Sequence, residues 1–143
     1  MDRSATTHQW ISFRLHQELY AQPIASVKEV IEYHPPAPVP GAPSSVEGVL
    51  NVRGEVITVV DGHRLLDTPA PADKADQRIV IVDGDDERFG VVVDSVEEIV
   101  SLPAEVIEPV EHSQDHTLMV GTARHADGLL ILVDLLKGAA AVN

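Results

Sequence analysis

The sequence predicts a mainly β protein, a small sandwich or barrel, and three observations carry that prediction. Valine and isoleucine supply 21 and 9 of the 143 residues, against only five aromatic residues, and β-branched side chains suit a pleated surface better than a helix. Ten prolines and nine glycines break the chain at short intervals, the spacing of turns between short strands. The segments between breaks alternate in polarity or run apolar for up to five residues, which is strand length rather than helix length.

The first strand reads Trp10-Ile11-Ser12-Phe13-Arg14-Leu15. Ile11, Phe13 and Leu15 share one face and Ser12 and Arg14 the other, as in a half-buried strand. A turn near His16 to Glu18 leads into a short strand through Leu19, Tyr20 and Ala21, ended by Pro23. Ser26-Val27-Lys28-Glu29 has the form of a capping box and predicts one helical turn before an extended Val30 to Tyr33. Residues Pro35 to Pro43 carry five prolines in nine positions, which excludes helix and central strand. A hairpin follows, from Gly48 to Arg53, through a turn at Gly54, and back along Glu55 to Val60. Asp61 caps a helical turn through Arg64, Leu65 and Leu66.

The Asp67 to Gln77 stretch, rich in Ala, Pro and Asp, reads as a loop. Arg78 to Val82 and Phe89 to Val93 form a second hairpin about Gly84 to Glu87. Val96 to Leu102 is extended, Pro103 to Val106 a helical turn, and Glu108 to His116 an acidic loop. A third hairpin joins Met119–Arg124 to Leu129–Val133 through Ala126-Asp127-Gly128, where Asp-Gly is a turn signal. Asp134 to Ala141 is helix-compatible. Gly48 to Leu66 and Gly121 to Leu136 follow one plan: strand, turn, apolar strand, Val-Asp, Leu-Leu. That similarity suggests two like β units sharing a core, and small barrels suit Val and Ile because their interiors are narrow.

Composition also excludes function classes. The length suits one domain, and 44% hydrophobic residues supply a real core. Twenty-three acids against ten bases give a formal charge of −13, so the chain lacks the clustered cations that a nucleic-acid surface needs. The longest uninterrupted apolar run, Leu129 to Val133, is far short of a bilayer span, and Met1 to His8 carries no signal-type segment. With no cysteine, disulfides, thiolate catalysis and Cys-based zinc sites are excluded. These features predict a soluble, cytoplasmic chain.

Little of the sequence points to a reaction. His112 and His116 have an i,i+4 spacing with Asp115 between them, but their loop lacks helical periodicity and an obvious third metal ligand. Asp61 and His63 read more simply as a helix cap and a surface histidine than as an acid–base pair. No Gly-x-Ser-x-Gly elbow and no Gly-rich phosphate loop is present. The alternative of a small β-barrel enzyme or metal protein would rest on Asp61, His63, His112 and His116. Arg53, closing an apolar strand beside a turn glycine, has two compatible readings: an ion pair, with Glu29 the candidate carboxylate, or a recognition surface with Asn51.

Val27-Lys28-Glu29-Val30, Val39-Pro40-Gly41-Ala42-Pro43 and Val46-Glu47-Gly48-Val49-Leu50-Asn51-Val52-Arg53-Gly54 resemble the signature run of CheW-type chemotaxis coupling proteins. The likeness continues through Val56 to Asp61, Gly90 to Asp94, and Gly121 with Leu130 to Asp134, and covers residues 9 to 137. It implies two SH3-like five-stranded β-barrels sharing a hydrophobic core, with short helical turns and a short C-terminal helix. The barrels would be intertwined subdomains of one domain, 9–137, with a boundary near 67–77 and flexible tails at 1–8 and 138–143.

The resemblance further implies a non-enzymatic adaptor, without cofactor or metal and mostly monomeric alone, that couples chemoreceptors to a kinase. Its partners would be the helical hairpin at the cytoplasmic tip of a methyl-accepting chemoreceptor and the regulatory domain of the histidine kinase CheA. Such a chain stays cytoplasmic, is recruited to membrane-bound receptor arrays, and inserts into no membrane. Carried over by position, the receptor-binding set is Val27, Gly48, Asn51, Arg53, Ile79, Gly90, Ile99 and Gly121, with Glu29 as the salt-bridge partner of Arg53. Glu111 and His112 would face the kinase. The sequence departs from the family pattern at Thr58, where Pro is usual, and at Gly62-His63-Arg64, which replaces Leu-Arg. With the Pro-rich stretch and Ala-rich tail, these point to a specialised pathway such as type IV pilus motility, or to a divergent paralogue.

Overall fold

The computed structural model describes residues 7–69, 75–84, 87–110, 118–126 and 128–140. Eleven strands among these residues form two sheets: β1 (Thr7–Leu15), β2 (Glu18–Pro23), β3 (Val27–Glu32), β4 (Val46–Val52), β5 (Glu55–Asp61), β6 (Arg78–Asp83), β7 (Arg88–Val93), β8 (Ser95–Pro103), β9 (Glu108–Pro109), β10 (Met119–His125) and β11 (Gly128–Val133). One sheet runs β8-β1-β2-β11-β10-β9 and the other β3-β6-β7-β5-β4. β6 and β7, beyond residues 67–77, pair with β3 and β5 before them, so both sheets draw strands from either side of that segment.

The two Val-Asp repeats occupy equivalent places. Hairpin β4–β5 leads into helix α1 (Gly62–Leu66), and hairpin β10–β11 leads into helix α2 (Leu135–Ala140). In each, the second strand makes the parallel pairing of its sheet, β5 with β7 and β11 with β2.

Three buried clusters fill the fold. Trp10, Ala21, Val100, Leu102, Ala123, Leu130 and Leu132 lie within the first sheet's strands, and Ile57, Val59, Ile79, Ile81 and Val92 within the second's. The third joins the sheets, with Phe13, Leu15 and Tyr20 against Val60, Val80, Val82, Phe89, Val91 and Val93. The period-two alternation along β6 and β7 sends Ile79, Ile81 and Val92 one way and Val80, Val82, Val91 and Val93 the other. Both faces of these strands are buried, which is why they read as unbroken Val/Ile runs.

Two local expectations are corrected. The capping box at Ser26 does not form: residues Ile24–Ser26 make a single 3-10 turn without a side-chain cap, and Val27–Glu32 is strand. β-branched Val27, Val30 and Ile31 pair with β6, and that ladder outweighs one local cap. Ser12, expected on a polar face, is buried at 1% exposure. A register shift between Ile11 and Phe13 interrupts the β1–β8 ladder there, and the Ser12 hydroxyl fills the break, donating to the Glu98 carbonyl and accepting from the Glu98 N–H, each at 3.1 Å.

Candidate functional site

The β4–β5 hairpin sets the site. Val52 pairs with Glu55, so the turn residues are Arg53 and Gly54, at φ 52° and 84°. Positive φ at both central positions is the geometry whose twist matches the flanking strands. Arg53 therefore stands in the turn itself, not at the strand's end, in a left-handed conformation that costs a non-glycine residue about 1–2 kcal/mol. Asn51 supports the turn, its Oδ1 accepting from the Gly54 N–H at 3.0 Å. From this perch Arg53 reaches across to β3, where its Nη1 lies 2.5 Å from both carboxylate oxygens of Glu29. The Arg53 side chain is 72% exposed and that of Glu29 24%, so the pair orients the guanidinium more than it stabilises the fold.

Beside this pair lies a cleft of about 410 Å³. Val52, Ile57 and Ile81 give it an apolar lining, and Lys28, Glu29, Arg53, Glu55 and Arg88 give it a charged one. Arg88, opposite Asp83 in the β6–β7 hairpin, donates from Nε to Asp83 Oδ1 at 3.2 Å and from Nη1 to Glu55. The hydrogen bond to Asp83, then the charges of Asp83 and Glu55, push its pKa above the ordinary arginine value, against an opposing desolvation. A second cleft, of about 360 Å³, lies on the other sheet among Val106, Glu108, Thr122, Ala123, Arg124 and Leu129.

The remaining candidates separate by burial. Gly48, Ile79, Gly90 and Gly121 are buried, so none of them offers a surface for direct contact. Gly48 lets the Pro-rich segment lie against β4: a Cβ there would collide with the Ala37 carbonyl, which accepts from the Val49 N–H at 2.9 Å. Gly121 pairs with Pro109 of β9. Val27 is half-buried against the shared core. Ile99 is 56% exposed, but it lies on β8 in the other sheet, away from the Arg53 cleft. Glu111, His112 and His116 lie outside the described residues.

His63 corrects the surface reading. Asp61 does cap α1, its Oδ1 accepting from the His63 N–H at 3.0 Å, but the His63 ring is buried at 5% exposure. Its Nδ1 lies 3.3 Å from Asp61 Oδ1, and its Nε2 lies 3.0 and 3.2 Å from the two oxygens of Asp94. Asp94 also accepts from the His16 N–H of the β1–β2 turn at 2.7 Å. Two nitrogens committed to two carboxylates make a clasp, not a ligand set. Among the described residues no group of three or more His, Asp or Glu is placed to hold a metal ion, and the enzyme or metal alternative finds no support.

Sequence reasoning missed Arg88, Asp83 and Asp94. The first two could have been found, because the β6–β7 hairpin register puts Asp83 opposite Arg88 once the turn is placed. Asp94 carries no local signal, since its partners lie 31 and 78 residues away.

The chain is thus a two-sheet β domain with a surface cleft lined by ion-paired and apolar side chains. The family model described as CheW-like domain matches residues 9–141, and the chain belongs to that family. It is similar to the chemotaxis protein CheW of Treponema pallidum, 28% identical over 140 residues covering 90% of this chain and 80% of that protein. Protein PilI of Pseudomonas aeruginosa is 30% identical over 86 residues, 60% of this chain and 48% of its own length. Among solved structures, the scaffolding protein TtCheW from Thermoanaerobacter tengcongensis superposes with a TM-score of 0.82 at 29% identity, covering 89% of this chain and 88% of that one. The two sheets are thus the two SH3-like barrels of a CheW scaffold.

Proposed function

We propose that this chain is a non-enzymatic adaptor that couples a methyl-accepting chemoreceptor's cytoplasmic helical hairpin to the regulatory domain of the histidine kinase CheA. One observation carries the reading: a family scaffold holds Arg53 in a left-handed turn, aimed by Glu29, at the rim of an apolar-lined cleft. A turn alone would be served better by Asn or Gly, so an exposed arginine kept there supports a recognition role.

In this reading Val27, Asn51, Arg53 and Ile99 meet the receptor directly. Gly48, Ile79, Gly90 and Gly121 set the shape of those surfaces, and Glu111 and His112 face the kinase. The adaptor works in the cytoplasm, joins membrane-bound arrays through its partners, and needs no cofactor. Among the described residues no helix is long and apolar enough to cross a membrane. The relatives named as chemotaxis proteins support a chemotaxis pathway.

The test is co-sedimentation of the purified chain with membranes carrying the receptor and with CheA from the same genome, followed by kinase assay. The chain is expected to join the pellet with both and to raise receptor-dependent kinase activity. Absence from the pellet, with no change in kinase activity, would overturn the reading.

A further inference from the structure

We propose that His63 carries a proton on both ring nitrogens in the folded chain, and that this imidazolium is a pH-sensitive tie across the seam between the two sheets. The inference is independent of the adaptor reading. Asp94 stands where β7 of the second sheet hands over to β8 of the first. Its N–H donates to the Arg14 carbonyl at 3.0 Å and its Oδ2 accepts from the His16 N–H at 2.7 Å, so it is fastened to the β1–β2 hairpin of the first sheet. His63 comes from the second sheet, in α1 directly after β5. Its segment fits tightly between the sheets: a Cβ on Gly62 would lie 2.4 Å from the Val92 carbonyl oxygen and 3.2 Å from Leu15 Cδ2.

A neutral imidazole has one N–H and one lone pair. Here Asp61 Oδ1 lies 3.3 Å from Nδ1, and the Asp94 oxygens lie 3.0 and 3.2 Å from Nε2. A neutral ring donates to one carboxylate and turns its lone pair on the other, a repulsive contact at a site only 5% exposed. The imidazolium donates to both. Each carboxylate already accepts from a backbone N–H, Asp61 from His63 and Asp94 from His16, so both serve as acceptors. On α1 itself the exposed Arg64 and Asp67 flank the ring, with Arg64 Nε 3.7 Å from Asp61 Oδ2. The Tyr33 phenol feels the charge of Asp61. On the Asp94 side the His16 side chain is exposed and Arg14 is turned to Glu97. Loss of the second proton therefore breaks one of the two contacts and slackens the tie between the sheets.

The experiment records long-range proton–nitrogen NMR spectra of the histidine rings from about pH 5.5 to about pH 8.5, across the histidine range, with urea unfolding over the same interval. His63→Gln assigns the ring signals and is the reference for stability, because Gln donates from one end only. At neutral pH both His63 nitrogens are expected at imidazolium shifts. A ring that needs its second proton only when folded makes folding take up a proton. The advantage of wild type over His63→Gln is therefore expected to be complete below about pH 6.5, the value for an unfolded histidine. It falls as pH rises, by at most about tenfold in the folding equilibrium per unit for one proton. Comparing the two chains cancels the other histidines. Asp94→Asn, whose amide oxygen still accepts from the His16 N–H, is expected to return the ring to its neutral form at neutral pH and to flatten that dependence. If His63→Gln does not fold, the signals that move in Asp94→Asn identify the ring. One His63 nitrogen at the unprotonated shift in wild type at neutral pH would overturn the proposal. Unfolding profiles of wild type and His63→Gln that stay parallel across the interval would overturn it equally.

Discussion

Gly90 of β7 faces Ile79 of β6 so closely that a Cβ added to the glycine would lie 2.7 Å from Ile79 Cγ2. Both residues are buried in the second sheet's own cluster, where Val59 Cγ2 is the next neighbour at 3.5 Å. The β-branched methyl of Ile79 occupies the volume that any larger residue at 90 would claim.

Gly90→Ala is therefore expected to destabilise the domain by about 1–3 kcal/mol through overpacking, read as a lower urea midpoint. Ile79→Leu removes the branched methyl at nearly constant volume, so the Gly90→Ala/Ile79→Leu pair should recover part of the loss. A double-mutant cycle giving simple additivity would show that the two sites do not share this space. Loss of coupling in Gly90→Ala would then trace to the fold, not to a lost contact.

Arg53→Asn separates stability from function. Asn-Gly is the preferred pair for a turn with φ positive at both central residues, and Asn tolerates the left-handed region better than Arg. The substitution is expected to leave the melting temperature unchanged or raise it, with about 1 kcal/mol of backbone strain relieved against less than about 1 kcal/mol for the exposed ion pair lost with Glu29. Receptor-dependent kinase control should nevertheless fail. A melting temperature several degrees below wild type would mean that the pair with Glu29 holds the hairpin, and full coupling would remove Arg53 from the interface.

The β architecture was legible because its cause is local: β-branched runs between turn residues leave few alternatives to strands. The Val-Asp repeat even exposed the twofold plan, since each copy is one hairpin with its helix. The misreadings arise where pairing at long range overrides local chemistry. Ser26 and Glu29 form a sound capping box on paper, yet the ladder to β6 takes the segment and Arg53 takes the carboxylate. Ser12 alternates as an outward residue should until a register shift buries it. His63 reads as a surface residue because nothing within its own helix announces Asp94.

Removing the His63 clasp has a distinct signature. His63→Ala leaves Asp61 and Asp94 without the ring between them, and Asp94 still tied to the His16 N–H. The expected cost is about 1–3 kcal/mol, the range for a polar group stripped of its buried partner, and it should appear in thermal melts. Zinc or EDTA should shift the melting of neither wild type nor variant, because the two ring nitrogens serve separate carboxylates. A melting temperature of the wild type that rises with zinc and falls with EDTA would restore the metal alternative.

The two tyrosines report an alkaline limit. Burial first, then the charge of Glu18, pushes the Tyr20 phenol above its ordinary value. Burial again, then the charge and hydrogen bond of Glu47 and the charge of Asp61, does the same for Tyr33, whose hydroxyl donates to Glu47 Oε1 at 3.1 Å. A raised phenol pKa means that the folded state holds the proton more tightly than the unfolded chain. This contribution to stability is complete below the unfolded value of about 10 and is lost as pH rises through the folded values. Stability should therefore fall on the alkaline side, and the 295 nm phenolate signal of the native chain should appear at higher pH than in urea. Tyr33→Phe, by deleting the ionisable group beside Glu47 and Asp61, should remove part of that alkaline slope while giving up the hydrogen bond at neutral pH. Native and unfolded titration curves that coincide would show that neither phenol feels its burial or its neighbouring carboxylates.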